Sequence, residues 1–234
     1  MKIKIIGCYV TWVKELSTSF LIDDQILFDV PQGSFKTIST ENDLSKINYI
    51  IISHFHSDHF ADLHLIIDVI SRQTPKRRIT IIAPKGCRER LIELFKILEV
   101  SHLEVYLNED VTFIECENNK IIKIGDYKIK CYKMLHQNLD AYGFTIENNG
   151  SKIGFTGDSA MCNNVRKIIK STKATFIDSS NIIQNNKHLN AEEVITLSKE
   201  FPSCKLIPVH MTYQTREILK NTLEIPNQGK EFIF

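Results

Sequence analysis

Three imidazoles and a carboxylate fall within six residues, His54-Phe55-His56-Ser57-Asp58-His59, directly after the apolar run Asn48-Tyr49-Ile50-Ile51-Ile52. A short apolar run of this kind reads as a buried strand, which puts the cluster where the strand ends and the chain turns. In extended backbone His54 and His56 project to one side and can share a metal ion. Asp58 and His59 follow in the turn, point elsewhere, and can serve a second ion nearby. Neutral imidazole with carboxylate suits a borderline-soft divalent cation such as zinc. The bland alternative is a histidine-rich surface loop, and four potential ligands at one strand terminus weigh against it.

The elements that must position this cluster follow from the apolar pattern. Lys2 to Ile6, Thr18 to Ile22 and Gln25 to Asp29 read as strands, the last two joined in a hairpin around Asp23-Asp24. His59, Leu63, Ile66 and Ile70 recur at helical spacing, so one helix is expected to carry His59 inward with core residues. A strand over Arg78 to Ala83 and a helix using Leu91, Leu94, Phe95 and Leu98 come next. In the second half, strands are expected at Lys120 to Ile124, Tyr127 to Met134, Ala141 to Glu147 and Lys152 to Thr156, with a hairpin at Asn148-Asn149-Gly150. Two more cover Ala174 to Ile177 and Lys205 to Val209, separated by a helix that Asn190 and Glu193 begin as a capping box. Apolar strands thus repeatedly end on a histidine or an aspartate: His54, His136, Asp158, Asp178 and His210. Ligand sites of layered α/β proteins collect at such ends.

The 234 residues suffice for a large α/β domain and show no repeat or linker, so residues 1–234 are expected to form a single domain. A formal charge of +1 provides no global field that calls for nucleic acid or a membrane. Arg72, Lys76, Arg77 and Arg78 form a local basic group, read as a solvated helix-to-strand connection rather than a phosphate patch. Six cysteines without a C-x-x-C pair support neither a zinc knuckle nor a disulfide framework, and read as small buried hydrophobes of a reducing compartment. No run approaches membrane-spanning length and Met1 to Gly7 is too short for a signal peptide, so a cytoplasmic location is expected.

With these motifs in place, the chain resembles the metallo-β-lactamase superfamily. The match runs in order through His54 to His59, Leu135-His136, Thr156-Gly157-Asp158-Ser159 and Val209-His210. The resemblance implies an α/β fold, a four-layer αβ/βα sandwich of two mixed sheets flanked by helices. It implies that His54, His56 and His136 hold one divalent ion, that Asp58, His59 and His210 hold a second, and that Asp158 bridges them. Asp58 is a catalytic candidate as well. The imidazole-rich set favours zinc for both ions, while manganese and iron use the same ligands. His188, just before the helix that Asn190 caps, is similar to the non-ligand histidine of the ribonuclease Z-like phosphodiesterase branch, which reaches the scissile phosphate. The alternative is an ordinary loop histidine. His64 is read as a rim or packing residue and His102 as a surface residue before a strand. Asp178 either matches the superfamily's strand-end acid or caps its loop.

Met134-Leu135-His136-Gln137-Asn138-Leu139 lacks the His-Thr-Pro-Gly-His pattern of glyoxalase, lactonase and lactamase branches. Ala83-Pro84-Lys85-Gly86, Tyr142-Gly143-Phe144 and His188 resemble the ribonuclease Z-like group instead. Transfer-RNA-processing members carry a long arm, in many cases between the third histidine and the bridging aspartate. Here one hairpin separates His136 from Asp158. The expectation is a dinuclear metal-dependent hydrolase, a phosphodiesterase for a small or cyclic nucleotide or other phosphodiester, attacked by a hydroxide shared between the metals. The alternatives are hydrolysis of a carboxylic ester, thioester or lactam, a tRNA 3′-processing endoribonuclease, and a metal-binding scaffold that has lost catalysis. The expected partner is a small phosphodiester substrate, in preference to nucleic acid and with no membrane; self-association as a homodimer stays open.

Overall fold

Neighbouring side chains of a strand point to opposite faces, and in this chain both faces are apolar. Phe20 and Ile22 enter one buried layer and Leu21 another, and Ile51 and Ile50 divide in the same way. Sheets built of such strands must be covered on both sides, which requires layers. The computed structural model describes residues 1–234. Its first half contains β1 (Lys2–Gly7), β2 (Ser19–Ile22), β3 (Ile26–Phe28), α1 (Ser34–Glu41), β4 (Tyr49–Ile51), α2 (Ser57–Phe60), α3 (Leu63–Ser71), β5 (Ile79–Ala83), α4 (Cys87–Ile97), α5 (Leu103–Glu109) and β6 (Val111–Glu115). The second half contains β7 (Ile121–Ile124), β8 (Tyr127–Lys133), β9 (Tyr142–Asn148), β10 (Ser151–Phe155), α6 (Asn163–Lys170), β11 (Ala174–Asp178), α7 (Ala191–Glu200), β12 (Lys205–Val209), α8 (Tyr213–Leu219) and β13 (Glu231–Ile233).

The strands form two mixed sheets, ordered β13-β1-β2-β3-β4-β5-β6 and β12-β11-β10-β9-β8-β7. β3 to β6 run parallel to one another, as do β10 to β12. Between the sheets lies an aromatic core in which Phe155 and Phe176 stack at 5.2 Å and Phe20 leans on Phe176 at 4.9 Å. A second core joins the first sheet to α1, α3, α4 and α5 through Ile38, Ile66, Leu91 and Leu107. A third joins the other sheet to α6, α7 and α8 through Ile168, Val194 and Leu219. The order helices, sheet, sheet, helices is the expected αβ/βα sandwich.

Most expected strands are present with boundaries shifted by a residue or two, and Asn190 and Glu193 make the capping box of α7. The helix expected to run from His59 to Ile70 is two helices. It breaks at Ala61-Asp62 because Asp62 turns aside: its amide donates to Val30 O and its carboxylate accepts from Phe35 N at the start of α1. Leu103, Tyr106 and Leu107, buried at helical spacing, form α5 after His102 where a strand was expected. Leu98 caps α4 and is exposed instead of joining its buried face. All six cysteines are free, and five are buried. Arg77 ties Leu44 O, Ile47 O and Asn48 Oδ1 together, while Lys76 pairs with Glu109 and Asp110 and Arg72 with Asp68. Those charges fasten the α3–β5 connection. No helix is long and apolar enough to cross a membrane.

Candidate metal centre

The site lies where strands of both sheets stop. His54, His56, Asp58 and His59 follow β4; His136 follows β8, Asp158 follows β10, Asp178 closes β11 and His210 follows β12. His54 Nε2 stands 3.0 Å from His56 Nδ1, and His136 Nε2 stands 3.3 Å from that same atom. Asp158 Oδ2 lies 3.7 Å from His54 Nε2 and 4.0 Å from His136 Nε2. On the other side of Asp158, the same oxygen lies 3.3 Å from His59 Nε2 and 3.6 Å from His210 Nε2. Asp58 Oδ2 closes that second group at 3.3 Å from His210 Nε2 and 3.8 Å from His59 Nε2. All seven residues expected as ligands are therefore gathered, in two groups with Asp158 against both.

The donor chemistry fits divalent cations. Neutral imidazole offers one N–H and one lone pair, so three ring nitrogens converging on one point cannot all be satisfied by one another. A tetrahedral ion with bonds of about 2.0–2.1 Å sets ligand atoms roughly 3.3 Å apart, close to the nitrogen spacings of the first group. In the second group His59 Nε2 is buried without a hydrogen-bond partner although a carboxylate oxygen stands beside it.

The opposite ring nitrogens of His136, His54 and His59 have their own partners, which fix ring orientation, while His210 Nδ1 is buried without one. His136 Nδ1 donates to Lys187 O at 2.8 Å, His54 Nδ1 meets Ser53 Oγ at 3.1 Å, and His59 Nδ1 donates to Asp29 Oδ2 at 2.7 Å. Asp29 also accepts from Ser53 N and Ser53 Oγ, each at 2.7 Å. Neither Asp29 nor Ser53 was picked out from the sequence. The available signal was an aspartate closing an apolar strand, as at Asp158 and Asp178. Asp29 and His210 both have φ of 53°, a left-handed conformation uncommon outside glycine and held here by the surrounding contacts.

His188 is brought to the same place, in one group with Asp158, Asp178 and His210. Its Nδ1 donates to Asp178 Oδ2 at 2.8 Å, and its ring stacks on His210 with centroids 5.1 Å apart. Asp178 also accepts from Ser159 N and Ser180 N, so it orients histidines and caps its loop at once. His64 bonds Ala61 O within its own turn, and His102 lies exposed near Asp68; neither reaches the cluster.

Burial pushes His54, His56 and His136 below the ordinary imidazole value, leaving them neutral near pH 7, as ligands must be. Burial also acts downward on His59 and His210, but carboxylates outweigh it. Asp158 and Asp29 hold His59 well above its usual value, and Asp158 with Asp178 raises His210 to about 10. Burial opposes ionisation of Asp158 and Asp58, yet the neighbouring histidines hold both below the usual carboxylate value, Asp158 far below. At His188 the Asp178 carboxylate likewise overcomes burial and raises the imidazole.

Residues 25–211 match the family described as the beta-lactamase superfamily domain. Ribonuclease Z of Staphylococcus aureus (strain JH9) is 24% identical, over 82% of this chain and 80% of its own length. The metallo-beta-lactamase fold protein YhfI from Bacillus subtilis has the same fold, with a TM-score of 0.80, 18% identity and 99% of both chains covered. A diphosphatase from the PhnP family matches with a TM-score of 0.78 at 15% identity, over 100% of this chain and 97% of its own.

Proposed function

The chain belongs to the β-lactamase superfamily as one of its metal-dependent hydrolases, and on that footing we propose that it is a dinuclear phosphodiesterase for a small or cyclic nucleotide or another short phosphodiester. His54, His56 and His136 would hold one ion, Asp58, His59 and His210 the second, and Asp158 both; zinc suits this set, and manganese or iron can use the same atoms. Such ions, when bound, polarise phosphoryl oxygens and acidify water. The chain's own groups supply the proton transfers. Asp58, whose Oδ2 stands 3.3 Å from His210 Nε2, would accept the proton of the attacking water. His188, whose Nδ1 is committed to Asp178, carries a proton on Nε2 for the departing oxygen.

The carrying observation is this His188–Asp178 pair beside the metal groups. The alkoxide that departs from a phosphodiester must be protonated as charge builds on the phosphoryl oxygens, whereas the thiolate that departs from a thioester needs no such donor. The likeness to ribonuclease Z favours a second reading, an endoribonuclease acting on transfer RNA. Against it, His136 and Asp158 are joined through the β9–β10 hairpin, with no room there for the arm that grips RNA in such enzymes.

Purified protein supplemented with zinc or manganese is to be assayed on bis-p-nitrophenyl phosphate, nitrocefin, a thioester and a precursor tRNA. Turnover of the first substrate supports the reading, with elemental analysis giving close to two ions per chain. Turnover confined to nitrocefin and the thioester would sink it, and efficient cleavage of the precursor RNA alone would select the second reading.

A further inference from the structure

Beside the metal groups opens a cleft of ≈ 320 Å³, lined by His54 and His56 and by Lys85 and Arg90. That volume is at the low end for small-molecule sites, roughly 300–1,000 Å³, and suits one nucleotide-sized unit. Lys85 precedes Gly86, the N-cap of α4, and Arg90 lies one turn into that helix, so one helix end carries both cations to the cleft. Both are exposed. The carboxylate that lines the cleft, Asp140, is engaged by Lys133, which leaves Lys85 and Arg90 without an acidic partner there. Arg90 is also held in place: its guanidinium lies 4.7 Å from the centroid of the Phe55 ring, and Phe55 packs edge-on against Phe60 at 5.2 Å. Phe55 sits between His54 and His56 in the chain, so the arginine is tied to the segment that carries the metal-facing histidines.

We propose that Lys85 and Arg90 form a second anion subsite, and that the substrate is a phosphodiester bearing a further phosphate. This rests on the proposed function and narrows it. A guanidinium and an ammonium that line one cleft, neither of them in an ion pair, recognise a phosphate by charge-assisted hydrogen bonds. The stacking of Arg90 on Phe55 fixes its direction and reduces the ordering cost of binding. A diester without the second phosphate would use only the metal side of the cleft.

The test is calorimetric binding of thymidine 3′,5′-bisphosphate and thymidine 5′-monophosphate to the metal-loaded protein and to its Lys85→Gln/Arg90→Gln variant. Binding is read without turnover, so the outcome stands apart from the phosphodiesterase assay. The bisphosphate should bind the wild type about a hundredfold more tightly than the monophosphate, tenfold for each charge-assisted hydrogen bond. The variant should lose that preference while its monophosphate affinity falls no more than about threefold. Both positions are exposed, so the variant should fold, and an unchanged circular dichroism spectrum checks this. Equal affinity of the wild type for the two ligands, or a preference that survives in the variant, overturns the subsite. Absence of phosphodiester turnover alongside a lost preference would overturn the enzymatic reading and leave the anion site standing.

Discussion

Asp178 serves two imidazoles with one carboxylate: Oδ2 accepts from His188 Nδ1 at 2.8 Å while Oδ1 lies 3.5 Å from His210 Nδ1. His188 is thereby placed as a proton carrier, and two variants separate its role from its neighbour's. His188→Ala should keep its metal content and lose about a hundredfold or more in kcat on a diester with a poor leaving group. The loss should shrink on a p-nitrophenyl ester, whose leaving group needs little protonation. Asp178→Asn acts through the proton. A raised imidazole is protonated below its pKa and loses its proton as pH rises through it. Removing the carboxylate lowers that pKa, so the alkaline limb of the kcat profile should move to lower pH; a limb that stays in place would show that His188 is not the acid. The histidines were readable because residue type and strand-end position announced them. Their supports were less so. Asp29 lies 30 positions from His59 in sequence, and nothing local marks a carboxylate whose partner is set by packing. Asp178 could be seen at a strand end, but whether it faced a loop or a histidine depended on where β12 and the 181–190 segment come to rest.

Elements were legible where one apolar period ran without interruption. β11 is buried throughout and β5, β9, β10 and β12 over most of their length, so pattern and packing agree. α1, with just Ser34 and Ile38 buried, has too sparse an apolar face to stand out, and α2 and α3 are divided by a tertiary contact at Asp62. Gly157 shows how an element boundary sets the site. It ends the β10 segment with φ of 57°, and a Cβ there would come 2.8 Å from Tyr142 O and 3.2 Å from Ser53 Cβ. Only glycine lets the chain pass between β9 and the loop that orients His54 and His59, and so delivers Asp158. Gly157→Ala should cost about 2 kcal/mol in urea unfolding, from left-handed strain plus the collision with backbone. It should also reduce turnover by moving Asp158. Gly150 has φ of 74° but open space around its Cβ position, so Gly150→Ala should cost about 1 kcal/mol and leave turnover intact. Equal effects on turnover would show that the close approach at Gly157 does not position Asp158.

At the scale of the whole molecule the two sheets meet at the metal groups. The β4 side provides His54, His56, Asp58 and His59, and the β8–β12 side provides His136, Asp158 and His210. A cation bound there links halves of the sandwich otherwise joined through the Phe20, Phe155 and Phe176 core. An ion that binds the folded chain alone adds stability as RT ln(1 + [L]/Kd), about 4 kcal/mol at a thousandfold excess over Kd. For a chain of this length that is a Tm change on the order of 10 °C. Stripping metal with a chelator should therefore lower Tm by that order, and zinc or manganese should restore it. The gap should also depend on pH in a definite direction. In the metal-free chain His59 and His210 are held above their usual value by Asp158, Asp29 and Asp178, so near pH 7 both carry protons that a cation must displace. Loading should release about two protons per chain at pH 7, read as the dependence of calorimetric heat on the ionisation enthalpy of the buffer. As pH falls, protons compete more strongly, Kd rises, and the Tm difference between loaded and stripped protein should narrow. A difference that widens toward acid pH, or loading without proton release, would mean that the cation does not bind at His59 and His210.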